Sequence, residues 1–138
     1  METKERYRYE VLMKDLRTEV EELAKREKLI PTPFFEINDA IAKRFVIFAL
    51  GNALAQEKGW RLWGMDAIEY AIISKFSWQI EDVRSLSLRD KWLALHDELN
   101  HLTLPEDAQK VWDSSPEAEH ASASLEIWGE HPERLDAF

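Results

Sequence analysis

Two Glu-x-x-His motifs contain the residues of this sequence whose types and spacing are best suited to chemistry. Glu98 precedes His101 in HDELNH, and Glu117 precedes His120 in EAEH. Residues three apart on a helix lie on one face, and paired motifs of this kind build carboxylate-bridged di-metal sites in helical bundles. The spacing therefore raises the hypothesis of a di-metal helical enzyme that uses these four side chains.

The surrounding residues argue against such a metal site. It would need one further glutamate from each of two other helices, and Glu69 is the one fair candidate in the central part of the sequence. His101 falls beside a predicted helix break, and Glu117 falls in a first helical turn, where the helix dipole alone favours an acid. We therefore predict no metal, no cofactor and no catalytic residues.

Other catalytic patterns are missing from the sequence. The chain has no cysteine, which excludes disulfides, thiolate metal sites and a cysteine nucleophile. It has no G-x-S-x-G motif, and its four scattered glycines form no phosphate-binding loop. These absences indicate a protein that is not an enzyme.

Residues 77–99, SWQIEDVRSLSLRDKWLALHDEL, allow a second alternative, a helix-turn-helix regulator. A short helix, a tight turn and a longer helix are indicated, and Arg89 and Lys91 stand where a recognition helix carries basic residues. Acidic residues share the same element, however, and phosphate contacts supply most of the affinity for DNA. With a net charge of −9, the chain is not expected to bind nucleic acid directly.

The negative charge is concentrated in the last third of the chain. Residues 1–29 are neutral and residues 30–100 carry −2, whereas residues 101–138 carry −7. Such a segment suits a partner with a basic surface, and residues 106–136 would mimic phosphate if that partner binds nucleic acid. The acidic contact candidates are Glu106, Asp107, Asp113, Glu117 and Glu119.

Aromatic residues supply the other contact candidates. Most of the cluster between residues 60 and 78 is expected to fill the core. Trp60, Trp63 and Trp78 instead stand at element boundaries beside Gly or Ser, and tryptophan is a frequent anchor of protein interfaces. These three residues are the aromatic candidates for contact with a partner protein, and we expect at least one of them to be exposed in a groove.

The first helix is predicted from about Lys4 to Lys28, within the charged segment 1–29. Glu–Lys and Glu–Arg pairs at i,i+4 support its exposed face. We expect this helix to protrude and to mediate self-association into a homodimer through one apolar stripe. The stripe contains Tyr9 and the four self-association candidates Leu12, Leu16, Val20 and Leu23.

The second helix, about residues 39–58, is predicted to be central. Asn38 is its expected N-cap and Gly59 its expected stop. From Phe45 to Ala55 it is apolar on nearly every side, which indicates a helix surrounded by others. A later helix is predicted over residues 88–102, with Ser87 as its cap.

Helical periodicity elsewhere, and no alternating strand pattern, predict an all-α fold. We expect one domain, residues 1–138, with six to seven helices around the central helix. The last helix is expected from Ser115-Pro116 to Gly129, followed by a flexible tail over residues 130–138. These expectations rest on helical spacing together with Gly, Pro and capping residues.

The sequence has no secretory signal and no apolar stretch long enough to span a membrane, so a cytoplasmic location is expected. The leading hypothesis is a small acidic protein that binds another protein. It would act as an adaptor, chaperone, immunity or inhibitor protein, of the kind that mobile elements and toxin systems use.

Overall fold

The computed structural model describes residues 4–28, 34–119, 135 and 138. Within these ranges the chain forms α-helices and no strand, which confirms the predicted all-α class. No helix in the described part is long and apolar enough to cross a membrane. The elements are α1 (Lys4–Arg26), α2 (Phe34–Lys58), α3 (Met65–Phe76), α4 (Ile80–Arg84), α5 (Leu88–Ala94), α6 (His96–Asn100), α7 (Glu106–Asp113) and a 3₁₀ turn (Pro116–Glu119).

The described residues form two compact units, and the division falls inside α2. The first unit contains α1, α2 as far as Val46, α7, the 3₁₀ turn and Leu135. The second unit contains α2 from Ile47 onward and α3 to α6, and it ends at Pro105 apart from Phe138. This division neither confirms nor contradicts the prediction of a single domain over residues 1–138.

The core of the first unit is built around Phe45 of α2, whose side chain is fully buried. The Tyr9 ring of α1 meets Phe45 edge-on with 6.1 Å between centroids, and Trp112 of α7 stacks on it at 6.0 Å. α1 also packs directly against α7. All three helices therefore bury aromatic surface in one place.

The expectation that α1 protrudes is wrong, because its apolar stripe lies inside the first unit. Leu16, Val20 and Leu23 are buried there, and Leu12 is half-buried. Leu16, Val20 and Leu23 can reach a second copy only if the unit opens, whereas Leu12 keeps part of its surface exposed. An apolar stripe at helical spacing looks the same whether it packs within the chain or against a partner, so the sequence alone could not separate the two cases.

Helix α2 begins earlier than predicted, so the prediction of Asn38 as its N-cap is wrong. The helix starts at Phe34, and Asn38 lies in its interior with its side chain buried. Every residue from Ala40 to Ile47 is buried, as expected for a central helix. The burial includes Arg44, whose guanidinium donates to the Ala40 carbonyl at 3.2 Å.

A polar contact fixes the start of α3 against α2 in the second unit. The Asn52 side-chain oxygen accepts the Gly64 backbone N–H at 2.5 Å. Gly51 leaves room for the Gly64 carbonyl, which a Cβ at position 51 would strike. That carbonyl accepts the N–H of Ala67 at 3.1 Å. Gly51 and Asn52, within the mostly apolar stretch of α2 from Phe45 to Ala55, therefore position the first turn of α3.

The prediction of a single helix over residues 88–102 is wrong. The helix is interrupted at Leu95, and the segment forms two helices, α5 and α6. The Ser87 cap is confirmed, since its hydroxyl accepts the Asp90 N–H at 3.1 Å. In a continuous helix the Ala94 carbonyl would accept from Glu98 N–H. Here the Lys75 ammonium of α3 donates to that carbonyl at 3.2 Å.

The chain after α7 is described only in part. Pro116–Glu119 forms a 3₁₀ turn, and the remainder of the predicted last helix lies outside the described residues. Most of the predicted tail over residues 130–138 also lies outside them. Leu135 is described and is buried in the first unit.

Candidate protein-binding surface

In the structure, each glutamate of the two Glu-x-x-His motifs forms an ion pair with a basic side chain. The Glu98 carboxylate lies 2.8 Å from the Lys75 ammonium. Burial raises the pKa of Glu98, but the hydrogen bond and charge of Lys75, with a backbone hydrogen bond, lower that pKa overall. His101 is exposed and lies 3.5 Å from Glu57 in the second unit. His120 lies outside the described residues.

Glu117, the glutamate of the second motif, belongs to a bidentate ion pair in the first unit. Arg17 Nε donates to Glu117 Oε1 at 2.5 Å, and Nη2 donates to Oε2 at 2.9 Å. The Glu117 side chain is 5% exposed and that of Arg17 is 39% exposed. Burial raises the pKa of Glu117, but hydrogen bonds from Arg17 and a backbone N–H, together with the Arg17 charge, lower that pKa below its ordinary value.

Glu117 therefore ties the 3₁₀ turn to α1, and its prediction as a surface contact residue is wrong. Among the described residues, no group of three or more His, Cys, Asp or Glu side chains is arranged to hold a metal ion. The hypothesis of a di-metal enzyme therefore gains no support from the described residues.

The remaining acidic candidates are carried by the first unit. Glu106, Asp113 and Glu119 are exposed, and Asp107 is half-buried. Glu106 pairs with Lys110 at 3.2 Å along α7, and Asp113 accepts a hydrogen bond from Gln109 at 3.0 Å. Three of the predicted acids are thus at the surface, where their charge can act on an approaching partner.

The basic residues of the helix-turn-helix alternative are not presented to solvent as a recognition helix requires. Lys91 lies 3.7 Å from Glu69, and the two side chains are only 12% and 13% exposed. Arg89 is half-buried, and α4 is a helix of five residues. These positions give no exposed row of cations for phosphates, which carry most of the affinity for DNA.

The three predicted tryptophans differ in exposure. Trp60 is half-buried and meets the Tyr70 ring edge-on at 4.7 Å. Trp63 is half-buried and packs against Phe48 at 5.6 Å. Trp78 is 45% exposed, so it is the member of the three that offers most of its surface to a partner.

Trp78 belongs to a surface that we call the aromatic patch, defined as Phe76, Trp78 and Ile80. These side chains are 38%, 45% and 48% exposed. The Phe76 and Trp78 rings stack with 4.7 Å between centroids and 19° between their planes. The patch thus combines exposed apolar area with a defined ring geometry.

The turn between α3 and α4 produces this geometry. Ser77 has a left-handed backbone with φ 58°, and its N–H donates to the Ile73 carbonyl at 2.8 Å. This conformation ends α3 and redirects the chain within one residue, which brings Trp78 over the Phe76 ring. Phe76 and Ile80 were not among the predicted contact residues. The close spacing of three large apolar residues, Phe76, Trp78 and Ile80, around a helix boundary is the signal that could have identified them.

No protein-family model, curated protein or solved structure matches this chain. The assignment of a function therefore depends on the chemistry of the described surfaces.

Proposed function

We propose that this protein is a non-catalytic binding module that associates stoichiometrically with another protein through the aromatic patch. The observation that carries the proposal is the exposed Phe76–Trp78 stack, with Ile80 exposed two residues later. Large apolar side chains grouped at a surface mark interaction sites more often than chance exposure, and tryptophan is enriched among the residues that dominate binding energy.

The patch is also organised before any partner arrives. The Ser77 turn and the ring stack fix the two aromatic side chains, so little side-chain freedom remains to be lost on binding. A surface of this kind binds more tightly per unit area than one that must be ordered first. This favours a binding role over a chance grouping of apolar residues.

The charge of the chain supports a basic partner. The net charge is −9, and Glu106, Asp113 and Glu119 are exposed on the first unit. Opposite charge accelerates association, and salt screens the effect. We place the protein in the cytoplasm, among adaptors, chaperones, immunity proteins and inhibitors. Such proteins act by occupying a surface of their target.

Capture from the native host tests the proposal. The bait is the full chain, compared with a Trp78→Ala/Ile80→Ser variant and with Tyr7→Ala/Val11→Ser, which changes exposed apolar residues of α1. We expect wild type and the α1 variant to retain the same protein in equimolar amount. The patch variant should bind it at least about 30-fold more weakly, the effect of about 2 kcal/mol at a dominant contact.

Folding of each variant is checked by its thermal transition, so that weak capture is not caused by unfolding. The proposal fails if the patch variant retains the partner as well as wild type does. It fails equally if the intact protein retains no protein at equimolar level.

A further inference from the structure

We propose that the aromatic patch receives a cationic side chain of the partner, preferably an arginine guanidinium, on the open face of the Trp78 indole. This inference rests on the proposed function and specifies the chemistry that the patch recognises. It follows from the exposure of Trp78, from the cation that already lies beside the stack and from the two exposed acids that come soon after Trp78.

One cation is already in place beside the stack. The Lys75 ammonium lies over the Phe76 ring, 5.2 Å from its centroid. Trp78 stacks on Phe76 with nearly parallel planes. Trp78 itself is 45% exposed, so part of its surface remains open to a second cation.

Lys75 is not available to fill that position. Its ammonium lies 2.8 Å from the Glu98 carboxylate and donates to the Ala94 carbonyl at 3.2 Å. These contacts hold it on the Phe76 side of the stack. Lys75 therefore does not supply the cation that we propose for Trp78.

The residues that follow Trp78 include two acids that would attract a positively charged group of a partner. Between Phe76 and Val83 the sequence carries Glu81 and Asp82 and no Lys or Arg, and both acids are exposed. They stand in the first turn of α4, and the basic Arg84 follows in its last turn. An acidic partner residue would meet these carboxylates, whereas a cation would be attracted by both the carboxylates and the indole face.

Arginine fits this surface better than lysine does. Tryptophan offers the strongest aromatic face for a cation. A guanidinium can stack flat on the indole while its edge N–H groups donate to a carboxylate, and it is more weakly hydrated than an ammonium. The predicted partner segment thus presents an arginine next to apolar side chains that cover Phe76 and Ile80.

Indole N–H resonances of the ¹⁵N-labelled full-length protein provide the test. The probe is a twelve-residue peptide of alternating leucine and arginine pairs, and the control is the same peptide with citrulline at every arginine. Citrulline keeps the size and planarity of the arginine side chain but removes its charge and replaces one NH2 donor by a carbonyl acceptor. The Trp78 resonance is assigned by its loss in Trp78→Phe.

We expect the arginine peptide to shift the Trp78 resonance with an affinity about tenfold higher than the citrulline peptide. A Glu81→Gln/Asp82→Asn variant should reduce that ratio, because it removes the acidic flank without changing the rings. Equal binding of the two peptides would overturn the inference and leave the proposed function standing, since the patch would then recognise apolar groups alone. A Trp78 resonance that neither peptide shifts would also overturn it.

Discussion

Replacing Arg17 with methionine is expected to lower the free energy of unfolding by about 3 kcal/mol at pH 7, the lower end of the range for leaving a buried charge without its partner. Methionine retains much of the apolar stem but removes the guanidinium. The Glu117 side chain, which is 5% exposed, would then keep a buried carboxylate without its bidentate partner. Urea unfolding followed by tryptophan fluorescence and circular dichroism measures the change.

The matched control is Glu117→Gln, which should destabilise the protein less. It leaves the charge on Arg17, whose side chain is 39% exposed and can be hydrated. If the two substitutions destabilise equally, or the glutamine variant is the worse, the ion pair does not anchor the 3₁₀ turn to α1 in the manner that the structure shows.

The pH dependence gives an independent check on the same pair. The pKa of Glu117 is lowered in the folded protein, so its contribution to stability is present above the unfolded-state pKa of about 4.3 and is lost as the pH falls through the folded-state pKa. In Arg17→Met, burial without the guanidinium penalises the charged carboxylate instead. The stability difference between wild type and variant should therefore shrink from pH 7 toward pH 3.

Gly64→Ala is expected to destabilise the protein by about 3 kcal/mol, through backbone strain and overpacking together. Gly64 has φ 60° and ψ −122°, a conformation that residues with a Cβ rarely adopt. A Cβ there would also overlap the Phe48 ring, which packs against Trp63. The measurement is again the free energy of unfolding in urea.

Gly59→Ala measures the cost of a positive φ at a position where the added Cβ meets no other atom. Gly59 has φ 73°, but no atom lies within 4 Å of the position of its Cβ. Only the left-handed conformation should then matter, at about 1 kcal/mol. If the two substitutions lower the free energy of unfolding equally, overlap of the added Cβ with the Phe48 ring does not destabilise Gly64→Ala, and the prediction is contradicted.

Much of the architecture follows from local sequence. The apolar stripe of α1, the apolar run of α2 and the Ser87 cap all depend on residues within one helix, and each was predicted. The break at Leu95 was not. Residues 88–102 have continuous helical spacing. The interruption accompanies a hydrogen bond to the Ala94 carbonyl from Lys75, which belongs to a different helix. Contacts between distant residues of this kind leave no periodic signal in the sequence.

Only part of the candidate surface could be predicted from the sequence, because the rest depends on backbone conformation and on contacts between residues. Trp78 could be identified because a tryptophan at a helix boundary is conspicuous. Its stack with Phe76 depends on the left-handed conformation of Ser77. A serine in the sequence does not predict that conformation. Glu117 was assigned to an acidic surface because its partner, Arg17, lies 100 residues away in the sequence.

Native mass spectrometry of the untagged protein, purified from its own host without chelators, tests the central claim most directly. We predict a complex in which one copy of this chain binds a second, different protein, and we predict that Trp78→Ala/Ile80→Ser yields the free chain under the same conditions. A mass surplus of two metal ions on an otherwise free chain would contradict the claim and return Glu98, His101, Glu117 and His120 to consideration as an active site. A homodimer with no second protein would contradict it as well.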